Sequence, residues 1–175
     1  MVVDDGRRYL QWTKKTFDVI TIDPPPPVEA AGSSLLYSRE FYALAKIRLK
    51  PGGILQQWFP GGDSITEAAV LQAIIEAFPY VRIFRGVGDW GFHMLASEQP
   101  ILQLSAETLA SRLPASANRD LVEWFPSNTP TQVFAAMLSR EMKAEAILGR
   151  APGAPVLQDD RPVNEYYFLR RAVQK

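Results

Sequence analysis

Two acids in this chain stand where a carboxylate could do chemistry. Asp5 follows the apolar pair Val2-Val3, and Asp23 ends the run Phe17-Asp18-Val19-Ile20-Thr21-Ile22. Both runs have the make-up of short strands buried in a parallel sheet, and in open α/β sheets ligands bind beyond the carboxyl ends of the strands. Neighbouring parallel strands would set both carboxylates along one crevice. There a carboxylate can accept hydrogen bonds from an adenine amino group, or from a substrate amine or ammonium. The structural alternative is that each acid only caps a turn or the following helix. Four prolines, Pro24 to Pro27, follow Asp23. They fix φ near −65° and offer carbonyls without N–H groups. They could wall a flat base, but on the residues alone a loop that ends a strand is the simpler reading.

Other candidates are weaker. Asp159-Asp160-Arg161-Pro162 puts two acids side by side, but adjacent side chains of an extended chain point to opposite faces. An acid paired with a nearby arginine therefore fits better than a metal site. His93 sits among Phe92, Met94 and Leu95, the setting of a structural histidine. Trp12, Trp58, Trp90 and Trp124 read as core or interface anchors; their spacing shows no base-stacking platform. The chain carries no P-loop or G-x-S-x-G motif.

The elements that would position these acids alternate between strand and helix. A short helix is predicted over residues 7–13 and a buried strand over 17–23. Ser38 is placed to cap a helix carrying Phe41, Tyr42, Leu44, Ala45 and Leu49, which Pro51-Gly52-Gly53 would end. A strand over 54–59 follows, then a Pro60-Gly61-Gly62-Asp63 loop. Ser64 and Glu67 have the spacing of a capping box for a helix to about residue 78. Residues 80–84 and 91–96 read as an antiparallel hairpin at the sheet edge, turning on Gly86, Gly88 and Asp89. This alternation is the signature of a doubly wound α/β sheet with parallel strands at 18–23 and 54–59. Beyond Pro100, helices are predicted over 107–113, 119–125 and 130–148, then a linker at 152–155 and an extended tail over 156–173.

Composition excludes several classes of function. Nineteen basic residues balance nineteen acidic ones in 175 residues, so there is no basic surplus for nucleic-acid binding. The absence of cysteine removes disulfides, thiolate metal sites and a cysteine nucleophile. It also agrees with a cytoplasmic location. One histidine leaves any metal site dependent on carboxylates. No apolar run reaches the roughly 18 residues of a membrane span, and the acids and arginines of residues 1–10 do not make a signal peptide.

Four segments taken together resemble the second half of spermidine/spermine synthases. They are Val3-Asp4-Asp5-Gly6-Arg7-Arg8-Tyr9-Leu10, Phe17 through Asp23, Leu36-Tyr37-Ser38-Arg39-Glu40-Phe41-Tyr42, and Leu49-Lys50-Pro51-Gly52-Gly53-Ile54-Leu55. Phe78-Pro79 and Gly91-Phe92-His93-Met94-Leu95 continue the match more weakly. The ending, Asp159-Asp160-Arg161-Pro162 with Glu165-Tyr166-Tyr167, is similar to the tail of bacterial members, including long ones in which this domain follows membrane spans. The resemblance implies a partial Rossmann-like sheet of the S-adenosylmethionine-dependent-methyltransferase type. Residues 1–98 would be the C-terminal half of that domain and 99–175 its helical extension and tail.

The resemblance also implies an activity, transfer of an aminopropyl group from decarboxylated S-adenosylmethionine, a co-substrate and not a resident cofactor, to a polyamine. In that family an Asp before Gly or Ala contacts the adenine, which falls on Asp5 and Gly6. An Asp ending the fourth sheet strand orients and deprotonates the attacking amine, which falls on Asp23. The loop after it lines the adenine, which falls on Pro27, Ala30 and Ala31. The sequence departs from the family's pattern at several places. Pro26 stands where a second Asp helps hold the amine, Trp58 stands where a Gln ends the next strand, and no Tyr is evident around residues 85–89. The glycine-rich donor loop, the ribose-binding acid and an N-terminal β-domain are also missing. The isolated chain is thus expected to be incomplete or inactive, with the missing half in a longer protein. Two other readings stay open. Asp23-Pro24-Pro25 resembles the Asp-Pro-Pro-aromatic motif of amino-group methyltransferases using S-adenosylmethionine, with Pro26 at the aromatic position. A non-catalytic binding or assembly module is the third, given few acids to hold a polyamine. The expected partners are a small nucleoside and a polyamine, with no nucleic acid and a homo-oligomer left open.

Overall fold

Asp5 begins the first helix by capping it: its side chain accepts a hydrogen bond from the Arg8 N–H at 2.8 Å, and helix α1 (Gly6–Trp12) follows. The computed structural model describes residues 5–24, 27–123, 125–165, 169 and 172. The Val2-Val3 pair, Pro25, Pro26 and Trp124 lie outside the described residues, as do Tyr166 and Tyr167.

Strand β1 (Phe17–Ile22) pairs in parallel with β2 (Leu49–Phe59), as the two β-branched runs predict. Between them runs helix α2 (Arg39–Lys46), capped by Ser38, whose hydroxyl accepts from the Phe41 N–H at 3.1 Å. The Pro51-Gly52-Gly53 stretch does not end that helix. The helix stops at Lys46, and the triplet belongs to β2, where the register jumps from Phe17↔Leu49 to Val19↔Ile54. Glycine is required in this bulge. Gly52 has φ +75°, and a Cβ on Gly53 would sit about 3 Å from the carbonyl oxygens of Phe17 and Asp18.

Helix α3 (Ser64–Ala77) is capped by Asp63 and not by Ser64. Asp63 has the extended backbone of a cap and accepts from the Thr66 N–H at 2.8 Å, whereas Ser64 is already helical. Strands β3 (Tyr80–Arg85) and β4 (Phe92–Ser97) form the expected antiparallel hairpin, but not at the sheet edge. The strand order is β1-β2-β4-β3, with the two-residue β5 (Glu141–Met142) outside β3. Because β4 runs antiparallel to both neighbours, β3 points the same way as β1 and β2.

The C-terminal segment is helical in pieces: α4 (Ala106–Arg112), α5 (Ala115–Glu123), α6 (Pro130–Leu138) and α7 (Ala144–Leu148). The single helix predicted over 130–148 breaks because the β3 edge captures β5. Arg82 holds Glu141 with two bonds of 2.7 and 2.8 Å, and Ile83 pairs with Met142. Tertiary pairing overrides helix propensity here. The tail is not extended throughout: residues 158–161 make a turn closed by a Gln158–Arg161 bridge, and the backbone at Leu169 and Ala172 is helical.

Helices α2 and α3 cover one face of the sheet. Tyr37, Phe41, Tyr42, Leu55, Phe59, Ile74 and Phe78 are fully buried there, each large apolar side chain contributing roughly 1.5–3 kcal/mol. Leu157 of the tail is buried in the same core, donating to the Ala69 carbonyl and accepting from the Arg39 N–H. On the other face, Phe84 of β3, Leu95 of β4 and Met137 and Leu138 of α6 line a cavity of about 260 Å³. That face is bare at β1, where Val19 is 57% exposed.

Candidate active site

The carboxyl ends of β1, β2 and β3 open on one side of the sheet, where α/β folds of this type place their ligands. Asp23 directly follows Ile22 at the end of β1 and is exposed. It lines a cavity of about 660 Å³ together with Asp5, Gly6, Tyr9, Ile20 and Leu36. The two acids singled out in the sequence thus share one crevice. Asp5 also fills its structural role as a helix cap. A Cβ on Gly6 would meet nothing within 4 Å, so the glycine leaves that part of the wall open.

The rim of this cavity is tied to the tail by Arg7. Its guanidinium forms a two-pronged ion pair with Asp159 and donates to the Leu35 carbonyl at 2.8 Å. Asp159 also accepts from the Ser38 hydroxyl, and its N–H donates to Glu40 at 3.0 Å. The hydrogen bond from Arg7 holds the Asp159 carboxyl below the usual carboxylate range, and the same bond raises Arg7. Of the two adjacent acids, Asp159 is therefore a structural ion-pair partner.

A second cavity of about 430 Å³ lies on the other side of Pro24, which lines both. Its walls are Pro27, Glu29, Trp58, Pro60 and Trp90. The Trp58 and Trp90 rings meet edge to face, with centroids 5.3 Å apart and planes at 82°. Trp90 is carried by a tight loop between β3 and β4. A Cβ on Gly86 would fall 2.0 Å from the Trp90 carbonyl oxygen, and one on Gly91 would fall 2.5 Å from that of Phe59. Asp89 takes a left-handed φ of 63° in this loop. Arg140 clamps the loop, donating to the carbonyls of Arg85 and Gly86 and to the Asp89 carboxylate at 2.6 Å.

Neither Asp23 nor Glu29 makes a hydrogen bond or ion pair with any described residue. The Tyr37 ring is fully buried, and its hydroxyl has no partner among the described residues. Burial pushes that phenol up strongly, and the charges of Asp23 and Glu29 add to the effect. His93 is half-buried with Nδ1 3.2 Å from the Gln56 amide; burial lowers its pKa, and the charge of Asp23 opposes this.

Pro27 lines the second cavity, not the one holding Asp5 and Asp23. Ala30 and Ala31 line neither; Ala30 closes a turn by donating to the Pro27 carbonyl at 2.9 Å. The tryptophans are not all core. Trp12 is 79% and Trp90 67% exposed. Trp90 and Glu29 are the residues that sequence reasoning missed. The available signal was the glycine-flanked Gly88-Asp89-Trp90-Gly91 turn at the carboxyl end of a parallel strand.

This architecture, with three parallel strands, an antiparallel strand inserted before the last of them, and an acid at the end of β1, is a Rossmann-like fold of the S-adenosylmethionine-dependent-methyltransferase type. Comparison with solved structures agrees at the level of fold. A probable spermidine synthase from Corynebacterium glutamicum superposes with TM-score 0.57 at 19% identity, over 90% of this chain and 53% of that one. Human methyltransferase-like protein 13, solved in complex with SAH, gives TM-score 0.52 at 16% identity, over 81% of this chain and 60% of that one. The spermine/spermidine synthase domain model matches residues 1–75. A polyamine aminopropyltransferase 2 from Pseudomonas aeruginosa is 31% identical over 106 residues, 56% of this chain and 30% of that protein. The chain belongs to the spermidine/spermine synthase family. It spans less than half the length of the curated relatives it matches.

Proposed function

We propose that this chain is the acceptor-side half of an aminopropyltransferase, using decarboxylated S-adenosylmethionine and an amine. One observation carries this reading: Asp23, exposed at the carboxyl end of β1 and without a partner among the described residues, borders the cavity holding Asp5 and, through Pro24, the cavity holding Glu29. In the step envisaged, the acceptor nitrogen attacks the propyl carbon bonded to the sulfonium. The new C–N bond forms as the C–S bond breaks, and the electron pair stays on sulfur, leaving methylthioadenosine. The surplus proton of the nitrogen passes to the Asp23 carboxylate, the base within reach. Asp5 and Gly6 would meet the adenine, with the loop at Pro27, Ala30 and Ala31 beyond it.

The fit is that of a cationic amine to unpaired carboxylates. Donor binding would also draw on a glycine-rich turn that leads from a strand into a helix N-terminus; the glycine-rich turn of this chain, Gly86 to Gly91, joins two strands instead. We therefore read the isolated chain as a weak donor binder. Residues 99–175 are taken as part of the same domain, supported by the pairing of β5 with β3 and the burial of Leu157. Among the described residues no helix is long and apolar enough to cross a membrane; with the cysteine-free composition, this supports a cytoplasmic placement.

The test is turnover in the full-length protein. Asp23→Asn should lower it by roughly 10²–10⁴-fold with thermal stability retained, because the amide keeps the shape but cannot take the proton. Asp5→Asn should instead raise the donor KM. Near-normal turnover of Asp23→Asn would remove the catalytic assignment.

A further inference from the structure

We infer that the corner formed by Trp58 and Trp90 binds an N-alkylated ammonium group, so that the acceptor carries a primary amine for Asp23 and an alkylated cationic end for the corner. This rests on the transferase reading for the role of Asp23 but not for the corner itself.

The charge of the cavity selects a cation. Among the described residues its one ionisable lining residue is Glu29, and no lysine or arginine lines it. The shape selects the kind of cation. A primary ammonium has three N–H donors to satisfy, and among the described lining residues the one side chain that can accept is the Glu29 carboxylate. The other lining side chains are prolines, a valine and two indoles. An alkylated ammonium has few or no N–H groups to leave unpaired. It is attracted to the faces of indole rings, the best of the aromatic side chains for this contact. The perpendicular packing of Trp58 and Trp90 offers two such faces at a right angle.

The corner is built and held. Trp58 sits near the end of β2, paired with His93 of β4. Trp90 is fixed by the glycine-flanked loop, which cannot take a Cβ at either Gly86 or Gly91 without backbone movement, and by the Arg140 clamp. Because Pro24 lines both cavities, a cation seated here can extend its other end towards Asp23.

Choline and ethanolamine share a hydroxyethyl arm and differ only in three methyl groups, so they isolate the alkylation. Each is titrated into this chain, following the indole N–H resonances and tryptophan fluorescence. Choline should bind about tenfold more tightly than ethanolamine and shift the Trp58 and Trp90 indoles. Trp90→Leu and Trp58→Leu should each abolish that preference, while Trp12→Leu keeps it. Glu29→Gln should weaken both ligands alike. Trp90 is 67% exposed, so its variant folds even if a change at Trp58 disturbs β2. Equal or tighter ethanolamine binding, or a preference that survives Trp90→Leu, overturns the inference. No donor or turnover enters this assay. A choline preference alongside a fully active Asp23→Asn protein would sink the transferase reading alone.

Discussion

Replacing Asp159 with asparagine removes one half of the ion pair that ties the tail to the cavity rim. The Arg7 side chain is 15% exposed and that of Asp159 32%, so the pair lies between two known regimes. Fully exposed pairs contribute about 0–1 kcal/mol, and breaking a fully buried one costs about 3–5 kcal/mol. Asparagine keeps an oxygen for Ser38 or Arg7 but not both prongs, and it leaves the guanidinium with the Leu35 carbonyl as its other partner among the described residues. A loss of about 2 kcal/mol follows, near the low end for hydrogen bonds to a charged group. In a protein of this size that is a fall in Tm of roughly 4–8 °C.

The pH dependence gives a sharper check. The folded-state pKa of Asp159 is lowered from 3.8. Its contribution is therefore fully present above 3.8 and is lost as the pH falls through the lower folded value. Urea unfolding of wild type and Asp159→Asn should differ by the full amount at neutral pH and converge well below 3.8. A neutral-pH difference under about 0.5 kcal/mol, the range of an ordinary surface substitution, would refute the reasoning. So would a difference that does not shrink in acid.

Two more perturbations test the site's surroundings. Burial lowers the His93 pKa below 6.5, so below that pH the unfolded chain binds more protons and wild-type stability should fall; His93→Gln should flatten that slope in urea midpoints taken above and below 6.5. Gly91→Ala forces a Cβ to 2.5 Å from the Phe59 carbonyl at φ +66°; it should cost about 1–3 kcal/mol in unfolding experiments and alter the near-ultraviolet circular dichroism of Trp90.

The parallel pairing of β1 and β2 was legible because a β-branched run ending in an acid has few other structural uses. The placement of Asp23 in a crevice was legible for the same reason, because the end of a parallel strand fixes where such an acid must lie; Asp5 reaches the same cavity from the start of α1. The Pro51-Gly52-Gly53 triplet misled because a helix stop and a strand bulge use the same residues; only the approach of Gly53 to the Phe17 and Asp18 carbonyls separates them. The break at residues 139–143 was invisible because it depends on Arg82, more than fifty residues away, capturing Glu141. For Trp90 the sequence left core and interface roles open for a related reason: its exposure depends on the loop geometry that Arg140 fixes from beyond the end of α6.

The distribution of charge bears on what the crevice takes. Asp18 is paired with Lys50, Asp89 with Arg140, Glu141 with Arg82 and Asp159 with Arg7. Asp23 and Glu29 have no such partner among the described residues, although the chain has as many basic residues as acidic ones. A cationic ligand reaching across Pro24 would meet two carboxylates that no described basic side chain neutralises. The resemblance drawn from the sequence puts Pro26 and Trp58 where the family's pattern has an aspartate and a glutamine. Recognition at the far end of the acceptor therefore shifts from donor–acceptor matching to aromatic contact. That shift relaxes the demand for N–H groups on the ligand and tightens the demand on its shape. Changes at Trp58 and Trp90 should consequently alter which amine is accepted, while changes at Asp23 alter whether any amine reacts.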